Sequence, residues 1–173
     1  MKDTQNPNNI ILVGMPGCFK STVGKILAGR LSLAFLDTDA LYEKKYGVSI
    51  AETFKTKGES VFRECEASIV AEACRQKGAV IATGGGVVLR GENIAALKSG
   101  GVVMELCADA HTIFSRVKSD ASRPLLADMR IETVEKLYAE RAELYKSAAD
   151  FRVNTANKSP EKIAEEIAKI LAK

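Results

Sequence analysis

A glycine-containing loop between a predicted strand and a predicted helix constrains the fold more than any other feature of the 173-residue sequence. Asn9–Val13 is an apolar run of strand length, and residues 21–33 carry apolar side chains at helical spacing. The connecting residues 14–21 have the sequence Gly-Met-Pro-Gly-Cys-Phe-Lys-Ser. A loop of this type, after a strand and before a helix, is the setting that a phosphate-binding loop requires. The start of the chain therefore predicts a phosphate site.

The rest of the chain alternates between apolar runs and amphipathic helical stretches. A long helix is predicted at 58–77, and Ser159 followed by Pro160 marks the start of the last helix, because serine caps helices and proline fits their first position. The predicted strands are Asn9–Val13, 34–36, 79–83, Gly101–Cys107 and Phe151–Asn154. Buried strands that alternate with helices indicate a parallel sheet covered on both faces. We predict one α/β domain, residues 1–173, with three layers and a parallel five-stranded sheet.

The composition excludes several classes of protein. Hydrophobic residues make up 46% and charged residues 27% of the chain, as in ordinary globular domains. A net charge of +3 is too small to favour nucleic acid or a membrane as a partner. The first residues contain no apolar signal core, and no apolar run approaches the roughly 18 residues of a membrane span. Without long apolar heptads, we predict a monomeric cytoplasmic protein.

The four cysteines do not predict a metal site. None of them forms a C-x-x-C pair, and His111 is the only histidine that could join them. We expect them to be reduced thiols.

The loop residues suggest how a nucleotide would bind. Backbone N–H groups and the positive end of the following helix would hold the β- and γ-phosphates. Lys20 would reach the β- and γ-oxygens, and the Ser21 hydroxyl would ligate Mg²⁺. The alternative is a plain glycine-containing turn before a capped helix. The loop pattern asks for glycine directly before the lysine, and this chain has Phe19 there.

Two acids follow the second predicted strand, in the sequence Asp37-Thr38-Asp39. One of them could orient a Mg²⁺-bound water, and the other could accept the proton of an attacking hydroxyl. Alternatively, Asp39 simply caps a helix at 40–46, with Asp37 solvated beside it.

Arginines and a triple glycine are the remaining candidates. Arg63, Arg123 and Arg141 could each bind a carboxylate or a phosphate as a fork, which lysine cannot copy, or could be solvated at the surface. The triple glycine at 84–86 would let the backbone approach a ligand, because glycine lacks Cβ and tolerates positive φ. A tight turn is the alternative.

Taken in order, these motifs resemble the shikimate kinase family over about residues 10–169. The ordered set is the loop, Asp-Thr-Asp, Gly-Glu-x-x-Phe-Arg, the triple glycine, Arg-Pro-Leu-Leu and Arg-x-x-x-Tyr. The resemblance implies a P-loop kinase fold with a substrate-binding region near 38–66 and a mobile lid near 118–130. It implies transfer of a phosphoryl group from ATP, with Mg²⁺, to the 3-hydroxyl of shikimate, a step of aromatic amino-acid biosynthesis.

The resemblance also implies roles for individual residues. Catalytic roles fall to Lys20, Asp39 and Arg123. Shikimate contacts fall to Asp39, Arg63, Gly84, Gly85, Gly86 and Arg141, and Mg²⁺ contacts to Ser21 and Asp37, the latter through water. The implied ATP-binding residues are Gly14, Gly17, Cys18, Phe19, Lys20, Ser21, Thr22, Arg116, Arg123 and Lys158.

Two alternatives stay open. One is a related small-molecule kinase, such as a gluconate kinase. The other is an impaired nucleotide-binding relative, and Phe19 is the feature that supports it. A glycine at position 19 would have positive φ or lie very close to phosphate, so phenylalanine should be strained there by about 1–3 kcal/mol unless the loop relaxes to another shape. The alternative is that Phe19 packs outward on neighbouring apolar residues and the loop keeps its shape. Phe19→Gly is therefore expected to improve the use of ATP about tenfold.

Overall fold

The computed structural model describes residues 9–118 and 130–173. The predicted lid, apart from its ends at Lys118 and Arg130, lies outside the described residues, and so does Arg123.

The five strands form one sheet in the order β2-β3-β1-β4-β5, and every neighbouring pair is parallel. The strands are β1 Asn9–Val13, β2 Ala34–Asp37, β3 Ala79–Ala82, β4 Gly101–Cys107 and β5 Phe151–Asn154. All residues of β1 and β3 are buried, as expected for central strands with helices on both faces. The predicted parallel five-stranded sheet is confirmed.

Seven α-helices are present in the described residues: α1 Lys20–Leu31, α2 Thr38–Tyr46, α3 Ile50–Arg75, α4 Gly91–Gly100, α5 Ala110–Lys118, α6 Ile131–Ala148 and α7 Pro160–Leu171. A short 3₁₀ helix, Val87–Leu89, follows the triple glycine. Helix α1 packs against α7, α3 against α4, and α5 against α6. The apolar stripe of α7 is fully buried at Ile163 and Ile167, as its spacing predicts.

Helix α3 is interrupted at the start of the predicted helix 58–77. Gly58 has φ 85° and ψ 169°, which are not helical angles, so one helical segment precedes it and a second follows it to Arg75. The predicted start of the long helix at Gly58 is therefore confirmed, because glycine accepts such a backbone and commonly marks a boundary. The segment before Gly58 begins at Ile50, with the Ser49 hydroxyl accepting from the Glu52 N–H as its cap, and the sequence pattern did not predict this segment.

Other boundaries shift by one to two residues. Helix α1 ends at Leu31, because Ser32 has left-handed backbone angles (φ 54°). Helix α2 begins at Thr38 rather than at 40, and β3 ends at Ala82.

Within residues 9–118 and 130–173, none of the helices combines the length and the apolar character that a membrane span requires.

Candidate active site

The phosphate loop joins the end of β1 to the start of α1, and two of its glycines are required by its shape. Gly14 has φ 145°, and a Cβ there would overlap the Leu106 carbonyl oxygen. Gly17 has φ 83°, and a Cβ there would lie 3.1 Å from the Val117 side chain. Only glycine combines a positive φ with the absence of a Cβ, so these two glycines allow the tight path of the loop.

Lys20 is the first residue of α1, and its side chain folds back over the loop. Its Nζ donates to the carbonyl oxygens of Gly14 (2.7 Å) and Met15 (2.9 Å). The residue is 9% exposed. The ammonium charge is therefore held at the hollow of the loop, next to the positive N-terminus of the helix.

Asp37 ends β2 and uses its two carboxylate oxygens differently. Oδ2 accepts from the Ser21 hydroxyl at 2.5 Å. Oδ1 accepts from the N–H groups of Asp39 (3.0 Å) and Ala40 (3.3 Å), so Asp37 is the cap of α2. The alternative in which Asp39 caps this helix is wrong, because the helix begins one residue before Asp39.

The triple glycine makes room for side chains rather than for an unusual backbone. A Cβ at Gly84 would lie 2.7 Å from Asp39 Oδ1, and one at Gly86 would overlap the Arg63 guanidinium. At Gly85 a Cβ would lie 2.8 Å from the Pro16 ring. None of the three glycines has a left-handed φ, so positive φ is not the reason for glycine at these positions. The approach of this backbone to a ligand stays a prediction.

Arg63 lies between two carboxylates. Its Nη1 donates to Glu66 (2.8 Å), and its Nε and Nη2 donate to Glu59 (both 3.2 Å). Its guanidinium carbon also lies 5.0 Å from the centre of the Phe62 ring. Glu66 is 4% exposed, so this arginine compensates a buried charge as well as facing Gly86.

Arg141 and Tyr145 lie one turn apart on α6 and both donate to the Gly85 carbonyl oxygen. The Arg141 Nη1 bond is 3.3 Å long, and the Tyr145 hydroxyl makes the second bond. Burial raises the pKa of Tyr145 to about 12, which keeps the hydroxyl protonated as a donor. Among the described residues, the buried Nε of Arg141 has no hydrogen-bond partner. This guanidinium therefore has unused capacity for an acceptor.

Phe19 has left-handed backbone angles, φ 65° and ψ 20°, directly before the first residue of α1. The expected positive φ at this position is confirmed. The ring packs on the Arg116 guanidinium, whose central carbon lies 4.1 Å from the ring centre. Phe19 also packs against the hydrophobic core, as the alternative of packing on apolar neighbours expects, and the contact with a cation is an addition that the sequence did not predict.

Arg116 and Lys158 lie on the side of the loop toward β5. Arg116 donates to the Gly17 carbonyl (3.1 Å) and twice to Thr155, at its hydroxyl (2.9 Å) and its carbonyl (2.7 Å). Lys158 forms an ion pair with Glu166 at 2.6 Å. Arg116 therefore borders the cavity beside the phosphate loop, whereas Lys158 is paired with Glu166 and does not line that cavity.

One cavity of about 420 Å³ joins these elements. Its lining brings together the following residues of the predicted set: Gly17, Phe19, Lys20, Ser21, Thr22, Asp39, Gly85 and Arg116. Arg141 donates to Gly85, which lines this cavity, and Arg63 lies against the next residue, Gly86. Cys18, a residue of the loop, is fully buried, so its thiol does not face the cavity. This burial raises the pKa of the thiol.

Sequence reasoning gave no role to Glu66 or Tyr145. Glu66 follows Arg63 by three residues, a spacing at which helical side chains meet, so a signal was available. Tyr145 stands at the end of the Arg-x-x-x-Tyr motif, one helical turn after Arg141. In both cases the pairing depends on burial that only the packed structure provides.

Mg²⁺ has suitable ligands in this site. Ser21 Oγ and Asp37 Oδ2 lie together beside the phosphate loop, and Mg²⁺ prefers such oxygen ligands. Within the described residues, no cluster of three or more histidine, cysteine, aspartate or glutamate residues could hold a metal by itself. The arrangement fits an ion that is bound by few protein oxygens and mainly by phosphates and water.

The parallel sheet carries a glycine loop between its first strand and the following helix, and this loop leads into Lys20 and Ser21. Asp37, at the end of the next strand along the chain, accepts from Ser21. These features define a P-loop phosphotransferase core. Comparison with known proteins narrows this class. The family model for shikimate kinase matches residues 16–172, so the chain belongs to the shikimate kinase family.

Curated relatives match over nearly their whole length. A shikimate kinase of Sulfurihydrogenibium sp. is 43% identical over 159 residues, which cover 92% of this chain and 95% of the relative. A shikimate kinase of Thermodesulfovibrio yellowstonii is 43% identical, with 93% of each chain covered. Among solved structures, the shikimate kinase from Acinetobacter baumannii in complex with shikimate has a TM-score of 0.90 at 33% identity and covers 96% of this chain and 93% of its own.

Proposed function

We propose that this protein is a shikimate kinase that transfers the γ-phosphoryl group of ATP to the 3-hydroxyl of shikimate. The observation that carries the proposal is one cavity that is lined both by the phosphate loop and by Asp39 and Gly85. Family membership supports the substrate class, and this lining supports a donor end at the loop and an acceptor end at Asp39.

At the donor end, the chain offers fixed positive charge. Lys20 Nζ donates to the loop carbonyls of Gly14 and Met15, and the first turn of α1 has N–H groups that the helix itself does not pair. These groups would hold the β- and γ-phosphates and stabilise the charge that spreads over the transferring group. Because they are already in place, little reorganisation is needed during the reaction.

Ser21 and Asp37 are the residues that would hold Mg²⁺, directly or through water. When bound, the ion would neutralise charge on the β- and γ-phosphates. Because Asp37 accepts from the serine hydroxyl, it would also orient the Ser21 oxygen for binding the ion.

At the acceptor end, Asp39 is the group that would take the proton. The 3-hydroxyl oxygen attacks the γ-phosphorus, the bond from that phosphorus to the bridging oxygen of ADP breaks, and the hydroxyl proton passes to the Asp39 carboxylate. Arg63 and Arg141 would hold the carboxylate of shikimate beside Gly85 and Gly86, which fixes the ring relative to the phosphate loop.

The unused donor capacity of Arg141 supports this assignment. Its Nε is buried without a partner among the described residues, and buried donors are normally paired. A substrate carboxylate would satisfy that donor. Arg63, which already neutralises Glu66, would share its charge with the substrate.

The decisive assay is ADP formation that depends on shikimate. We expect ADP release with shikimate, no release above background with gluconate, and a phosphorylated product at the 3-hydroxyl by NMR. Activity with gluconate and none with shikimate would favour the related-kinase alternative. Binding of ADP without turnover of either substrate would favour an impaired relative. The monomeric state, the cytoplasmic location and the role of Arg123 stay predictions.

A further inference from the structure

The contact between Phe19 and Arg116 is the closest cation–ring contact described in this protein, at 4.1 Å from the guanidinium carbon to the ring centre. Four other such contacts in residues 9–118 and 130–173 have distances of 5.0 to 5.9 Å. A cation attracts an aromatic face most strongly when it lies well within about 6 Å. Both side chains line the cavity that contains the phosphate loop.

The same guanidinium bridges two loops. It donates to the Gly17 carbonyl in the phosphate loop at 3.1 Å. It also donates to the hydroxyl and the carbonyl of Thr155, directly after β5, at 2.9 and 2.7 Å. Arg116 therefore connects the phosphate loop with the segment that follows β5.

Hydrogen bonds and the aromatic ring restrain different motions of this group. The N–H donors lie in the guanidinium plane, so their bonds resist sliding within that plane. The guanidinium carbon lies over the Phe19 ring, so the ring limits movement of the guanidinium toward it. A glycine at position 19 would remove this contact.

We propose that Phe19 is a positioning residue for the nucleotide, because its ring fixes the Arg116 guanidinium against the part of the site that receives the nucleoside. The phosphates belong over the start of α1, so the wall formed by Gly17, Phe19, Thr22 and Arg116 borders the nucleoside. The inference rests on the proposed function for its ligand, a nucleoside di- or triphosphate. Phe19, which stands where the loop pattern has glycine, is then part of the binding site.

A pair of variants separates this role from simple space filling. Phe19→Leu and Phe19→Tyr both keep a side chain on the left-handed backbone, but only tyrosine keeps the aromatic face. Their affinities for ADP and for inorganic tripolyphosphate, each with Mg²⁺, are measured by calorimetry. We expect Phe19→Leu to weaken ADP binding about fivefold, the scale of a lost cation–ring contact, and to change tripolyphosphate binding by less than about twofold. Phe19→Tyr should bind both ligands like the parent protein.

Two results would overturn the proposal. One is unchanged ADP affinity in Phe19→Leu. The other is an equal loss for ADP and tripolyphosphate, which would place the effect in the phosphate loop itself. Should Phe19→Leu not fold, Phe19→Met decides, because methionine also fills the space without an aromatic face: a selective loss for ADP supports the proposal, and parental ADP affinity refutes it. These titrations need neither shikimate nor turnover, so they stand apart from the test of the proposed function.

Discussion

The Ser21 hydroxyl donates to Asp37 Oδ2 at 2.5 Å, which joins the first turn of α1 to the carboxyl end of β2. The other oxygen of the same carboxylate caps α2. One aspartate therefore connects the phosphate loop with the helix that carries Asp39. Displacing this carboxylate would affect the metal ligands and the acceptor end together.

Asp37→Asn is expected to raise the Mg²⁺ concentration needed for half-maximal activity by about tenfold, or roughly 1.4 kcal/mol, because the amide loses the charge that favours the cation. The fold should be unaffected, since asparagine caps helices as well as aspartate does. Mg²⁺ titrations of activity and thermal unfolding of both proteins provide the check. An unchanged Mg²⁺ requirement would remove Asp37 from the metal site.

Arg63→Ala and Arg141→Ala should each weaken shikimate binding and leave ATP binding nearly unchanged. Loss of a partner of a largely desolvated carboxylate costs roughly 2–5 kcal/mol. Calorimetric titration of each ligand measures this. Arg90→Ala is the matched control, because Arg90 pairs with Glu92 at the surface and away from the cavity. Parental shikimate affinity in both site variants would refute the assignment.

Asp39→Asn should lower kcat by at least about tenfold, equivalent to roughly 1.4 kcal/mol of barrier. The amide keeps the shape of the side chain next to Gly84, but it cannot accept the hydroxyl proton. Steady-state kinetics at saturating shikimate and ATP isolate this effect from binding. Turnover at the parental rate would mean that another group accepts the proton.

Phe19→Gly has two opposing effects. Glycine removes the strain of the left-handed backbone, which is about 1–3 kcal/mol for phenylalanine. It also removes the ring that contacts Arg116. We therefore expect tripolyphosphate to bind up to about tenfold more tightly, while ATP gains less. Competition titrations of both ligands give the two ratios. An equal gain for ATP and tripolyphosphate would mean that the ring contributes nothing to nucleotide binding.

Tyr145→Phe should alter the stability of the protein at alkaline pH. Burial raises the pKa of Tyr145 from 10.0 to about 12 in the folded state, so between these values the folded protein holds a proton that the unfolded chain has lost. Stability due to this group is full below pH 10 and declines as the pH rises toward 12. In the variant, urea midpoints should fall less steeply over this window, whereas near pH 7 it should lose about 1 kcal/mol for the missing bond to Gly85. Identical slopes in the two proteins would contradict the burial argument.

The sequence alone determined the sheet, the phosphate loop and the family. Local patterns suffice for these features, because a buried strand, a glycine-rich turn and an amphipathic helix each depend on residues close together in the chain. The left-handed backbone at position 19 could also be predicted, since the usual residue of the pattern is glycine.

Only the tertiary structure decided which side chains meet. The triple glycine makes room for Asp39, Pro16 and Arg63, and Tyr145 reaches Gly85 from 60 residues away. The ring of Phe19 contacts Arg116, which lies 97 positions later in the chain. Such contacts depend on the order of the strands and on the packing of helices over them, and the spacing of residues along a chain carries no direct record of either.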